Sequence, residues 1–144
     1  MSRRPPAWQV IALVVVIAFV LDWFIQRPDA PARELNAQIE ARASEALRAY
    51  PYPFRVLRVE NGTAVMSTPR NVDVPAFRFL AVIHPDIDVR DRHDPAFVAA
   101  QARLAAAQSE ARAIVEAAPG IRAVRWELDR HWLAAHGIEV PDRP

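Results

Sequence analysis

With 144 residues the chain has room for one domain and a modest core, not for two. Its 18 basic and 17 acidic residues leave a net charge of +1 with no clustered positive excess, which removes nucleic acid as a partner class. Cysteine is absent, so disulfides, thiolate metal sites and a cysteine nucleophile are excluded together.

The N-terminal stretch from Pro5 through Leu21 carries no charge, and Val10 to Leu21 is almost wholly apolar. Continued to Gln26 it is about 21 residues long, which at 1.5 Å per residue would cross a hydrocarbon core of about 30 Å. Trp8 near one end and Trp23 with Phe24 near the other fall where amphipathic rings favour a membrane interface. Asp22 lies one turn from the end and reads as an interfacial acid. The expectation is a transmembrane helix over about residues 6–26 within an anchor of residues 1–27, joined by a Pro-containing linker, 28–31. Arg3 and Arg4 before an apolar run have the form of a signal anchor. That form places the chain as a single-pass protein of a bacterial inner membrane with its soluble domain in the periplasm. Ala30-Pro31-Ala32 supplies the alternative, secretion after cleavage of a signal peptide.

The soluble domain is expected over residues 32–138. Ala32 to Tyr50 reads as one helix, with Leu35, Ile39, Ala43, Ala46, Leu47 and Tyr50 on a stripe, ended by Pro51 and Pro53. Phe54 to Glu60 and Thr63 to Ser67 read as strands. Asn61-Gly62 between them is a strong hairpin signal, because both positions of a type I′ turn need positive φ. A loop from Thr68 to Val74 follows. Phe77 to Ile83 is apolar on nearly both faces and reads as a buried strand. After a polar loop, Asp94-Pro95 combines an N-cap acceptor with a proline at the first helical position, so a helix is expected to about Ala118. Phe97, Ala100, Leu104, Ala107, Ala111, Ile114 and Ala118 form its apolar stripe. Pro119-Gly120 ends it. Ile121 to Asp129 alternates as a half-buried strand with Val124, Trp126 and Leu128 inward, and His131 to His136 adds a helical turn with Trp132 and Leu133 over the core. The tail, 139–144, is expected to fray. The fold class is thus α+β: after the transmembrane helix, a two-layer sandwich of order α-β-β-β-α-β, a mixed sheet with two helices on one face.

Phe54 to Ser67, with its Asn61-Gly62 turn, and Glu110 to Val124, with its Pro119-Gly120 joint, resemble the hairpin and the helix-to-strand junction of the BON domain. The glycine that closes the family's hairpin is replaced by Thr68-Pro69, and about 25 residues are inserted between the two matching pieces. The resemblance implies a small α+β module of bacterial envelope and osmotic-stress proteins, associated with membrane or phospholipid contact.

His84 to Asp94 is the densest polar segment, and His84, Asp86, Asp88 and His93 are its candidates for binding a divalent ion. It lacks the order of a calcium loop, and the simpler reading is a solvated connection with Asp94 capping the next helix. His131 and His136, five apart, do not share a helix face, and no nucleophile elbow or phosphate-cradling loop is present. No catalytic residue and no cofactor is expected. Trp126 and Trp132 read as core residues before partner anchors. The composite expectation is a non-enzymatic interaction module that binds a protein or a membrane surface. The alternative is an accessory subunit of an inner-membrane complex, assembled through the apolar helix.

Overall fold

The computed structural model describes the backbone of residues 6–26 and 29–142 and the side chains of residues 6–21 and 29–142. The elements are α1 (Ala7–Gln26), α2 (Ala30–Arg42), α3 (Glu45–Arg48), β1 (Val56–Glu60), β2 (Thr63–Thr68), α4 (Ala76–Ile83), α5 (Pro95–Glu116), β3 (Ala123–Leu128) and α6 (Arg130–Ala135). The sheet is mixed and runs β1-β2-β3, with β1 antiparallel and β3 parallel to the central β2.

The transmembrane expectation is corrected: among the described residues no helix is long and apolar enough to cross a membrane. The inner-membrane, single-pass and signal-anchor expectations rested on that span and fall with it. Trp8, expected at an interface, is 67% exposed. Asp22, Trp23 and Phe24 lie outside the residues whose side chains are described.

The expected helix over 32–50 is two helices. α2 begins two residues earlier, where the Asp29 carboxylate accepts from Ala32 N, and ends at Arg42. Ala43 then turns to extended geometry and Ser44 caps α3, its hydroxyl accepting from Leu47 N at 3.2 Å. Glu110 of α5 fixes the break by accepting from both the Ser44 amide and its hydroxyl, each at 2.8 Å. Periodicity alone could not reveal a break held by a residue 66 positions away.

The expected strand at Phe77–Ile83 is helix α4. Phe79 and Leu80 are fully buried while Ala76 and Ile83 pack against the same core, a spacing of three, four and seven that belongs to a helix. Phe77, which a strand would have set beside Phe79, is 46% exposed. A run apolar at nearly every position carries no readable period, and here tertiary packing chose helix.

The remaining elements follow expectation. Asn61 and Gly62 both have positive φ, 49° and 78°, as a type I′ turn requires. Asp94 caps α5 by accepting from Ala96 N. The small buried residues Ala100, Ala107 and Ala111 let α5 lie close to its neighbours, α2 and β3. Leu35 and Ile39 of α2, Leu104 and Val115 of α5, Val56, Ala64 and Met66 of the sheet, and Phe79 form one core. Burial of each large apolar side chain in it contributes about 1.5–3 kcal/mol. A second cluster of Val74, Leu133 and Ile138 packs with Leu128 and Val140 and carries the fold into the C-terminal segment.

Candidate interaction surfaces

The loop that offered ligand candidates is built to turn the chain. Asp88 accepts from Arg90 N at 3.0 Å, Asp91 from His93 N at 2.9 Å and Asp94 from Ala96 N, so three carboxylates serve local turns and a cap. His84 ends α4, its amide donating to Leu80 O at 2.9 Å, and its Nε2 is buried without a hydrogen-bond partner. Asp86, Asp88 and His93 are exposed, while Ile87 and Val89 between them turn onto the core. Among the described residues no three His, Cys, Asp or Glu side chains gather to hold a metal ion.

Trp126 and Trp132 sit in an aromatic cluster with Tyr52, Phe54 and Phe79, with ring centroids 4.9–6.1 Å apart and most pairs edge-on. At its polar margin the Tyr52 hydroxyl donates to Asp129 Oδ2 at 3.0 Å, with Arg55 3.5 Å from the same oxygen. Asp129 Oδ1 accepts from Trp132 N and so caps α6. Burial drives the Tyr52 phenol far above the ordinary tyrosine range, with the Asp129 carboxylate adding to the rise. Asp129 thus ties Tyr52, Arg55 and the first turn of α6 together. His136 stacks on Trp132 with centroids 3.7 Å apart, and His131 is exposed.

On the face of the sheet away from the helices, Arg58 bonds Glu60 at 2.6 Å and Glu127 at 2.7 Å, while Arg125 bonds Glu60 at 3.1 Å. The chain Arg125–Glu60–Arg58–Glu127 therefore spans β1 and β3 across Val65 of the central strand. The hydrogen bonds to Glu127 and Glu60 hold the Arg58 guanidinium above its ordinary range, and the bond from Arg58 holds the Glu60 carboxyl below the usual carboxylate range.

The two edges of the sheet differ. Val56 and Val59 point their main-chain groups out of β1. Asn36 of α2 bonds both groups of Val56, accepting from N at 2.7 Å and donating to O at 3.0 Å, and Asp29 accepts from Val59 N at 3.4 Å. On β3 the odd residues face β2, as Asp129 N bonding Thr68 O shows in register with Thr68 opposite Leu128. Val124, Trp126 and Leu128 therefore turn their N–H and C=O groups outward, and among the described residues nothing bonds them there.

The other open surface is α1. Every side chain described in it is exposed, Ile11 to 64% and Phe19 to 75% among them. Neither the edge caps Asp29 and Asn36 nor the pairing of Ser44 with Glu110 could be found from spacing, because each depends on which strand or helix end lies beside it. Comparison with protein families, curated proteins and solved structures finds no match to the chain.

Proposed function

We propose that the chain is a non-enzymatic interaction module whose occupant is another protein, with the α+β domain as a BON-like scaffold. The observation that carries this reading is α1. A helix apolar around its circumference is stable only when surrounded, and the described side chains of α1 are uncovered by the chain itself. The BON-like part of the reading is supported by the order α2-β1-β2-α5-β3, into which the shorter α3 and α4 are inserted, and by how its two matching pieces meet. Arg122 N bonds Gly62 O at 2.8 Å and Arg122 Nη2 bonds Asn61 O at 2.6 Å, docking the helix-to-strand joint onto the hairpin turn. Asp88, Asp91 and Asp94 of the His84–Asp94 loop are engaged in turns and a cap, which favours binding over chemistry.

The test is crosslinking and co-purification of the full chain beside a chain lacking residues 7–26, with flotation on phospholipid vesicles run in parallel. Capture of one specific protein by the full chain alone supports the module and assigns α1 as its contact. Capture by both chains moves the contact to the α+β domain. Vesicle flotation with no captured protein overturns the protein-partner reading in favour of a lipid surface.

A further inference from the structure

We infer that the outer edge of β3 is a self-association site, pairing antiparallel with β3 of a second copy in a register centred on Trp126. The donors and acceptors are already aimed. Val124, Trp126 and Leu128 present their main-chain N–H and C=O groups outward on an edge strand of six residues. An unpaired edge of this kind is a template for another strand. The opposite edge of the same sheet is sealed by Asn36 and Asp29.

The strand is self-complementary about Trp126. In that register Val124 stands opposite Leu128 of the second copy, and Trp126 opposite its own equivalent, on the helix-covered face. On the charged face Arg125 stands opposite Glu127 of the second copy, and Glu127 opposite its Arg125. Opposite charges directly across an antiparallel pair are favourable and like charges are not. The three outward residues all fall at hydrogen-bonded positions of this register, which allows about six main-chain bonds across the two-fold axis. A shift by one residue would set outward groups against inward ones, and a shift by two would place Arg125 opposite its own kind in one direction and Glu127 opposite its own kind in the other. Arg125 and Glu127 are 54% and 42% exposed, and each bonds within its own chain through one partner only, so capacity remains for a second. The second copy is favoured over an unrelated peptide because the strand's own charge order supplies the complement. The result would be a continuous six-stranded sheet with the ion-pair chains of both copies joined across the axis.

The experiment is sedimentation equilibrium of the full chain with Arg125→Glu, Glu127→Arg and the double variant, alongside amide hydrogen exchange at Val124, Trp126 and Leu128. A concentration-dependent dimer is expected, with those three amides slowing as it forms. Each single reversal sets like charges across the axis and weakens the dimer by about tenfold or more. The double reversal restores the cross-axis match while still breaking the pairs with Glu60 and Arg58 inside each chain. Recovery of the dimer in the double variant therefore reads the axis and not the fold. A monomer at all concentrations, an association indifferent to the single reversals, as one held by α1 would be, or a double variant no better than the singles, each overturns the proposal.

Discussion

β1 and β3 flank the same central strand, yet one edge is sealed and the other open. β1 follows α2 closely in sequence, and the antiparallel hairpin leaves its outer edge beside that helix, so Asn36 can reach both groups of Val56 with a single amide. An asparagine side chain presents the same donor and acceptor pair as a peptide unit and substitutes for a fourth strand at that point. β3 arrives by a long crossover through α4 and α5 and lies parallel to β2, and among the described residues nothing bonds its outward main-chain groups. The lesson is that edge protection is local: a strand is capped by the polar groups the chain passes beside it, and among the described residues none bonds the outward main chain of the far strand of this crossover.

The largest expected effect comes from erasing the difference. Asn36→Leu removes both partners of Val56 and should cost about 2 kcal/mol in denaturant unfolding, while opening β1 as β3 is open. Asn36→Asp keeps the acceptor for Val56 N and loses the donor, so its loss should fall between wild type and the leucine variant. An unchanged midpoint in both would show that water caps this edge equally well.

Gly62→Ala tests the joint that ties β3 to the hairpin. Its φ of 78° is unfavourable for any Cβ, and the added methyl would stand 2.8 Å from Arg122 Nε. A loss of about 1–2 kcal/mol is expected, with faster amide exchange along β3 than along β1. Ser44→Ala acts on the protected side, removing a helix cap and a bond to Glu110, for about 1 kcal/mol by the same unfolding measurement.

The gentlest effect is on pH. Burial pushes the Tyr50 phenol up to about 12, against the lowering pull of Arg103 and Arg70. The folded state keeps this proton where the unfolded chain releases it, so the associated stability is present below the ordinary tyrosine value near 10. It is lost as pH rises from there to about 12, and Tyr52 adds to the fall in the same direction. Tyr50→Phe should flatten the lower part of the decline in a denaturant midpoint measured against pH.

Local chemistry made some elements legible. The Asn61-Gly62 turn, the Asp94-Pro95 start of α5 and the alternation of β3 were readable because each depends on residues within a few positions of one another. α4 was misread because Phe77 to Ile83 offers both periods, and only contact of Ala76, Phe79, Leu80 and Ile83 with the core selects one. The N-terminal apolar run was read as a span from its hydropathy, and among the described residues no helix is long and apolar enough to be one. The ligand candidates of the His84 loop were legible as residue types, but Asp88 serves a turn that composition does not display, and among the described residues no three such side chains gather to hold a metal ion.

Sequence by itself determined the α+β class, the hairpin, the capped α5 and the inward face of β3, since backbone conformational preference and hydrophobic period act over one or two turns of chain. Tertiary structure alone decided that Ser44 breaks a helix under Glu110, that α4 is helical, and that Asn36 seals one sheet edge while Val124, Trp126 and Leu128 leave the other open. Those outcomes depend on which groups meet across tens of residues, where desolvation and unsatisfied main-chain hydrogen bonds outweigh local propensity.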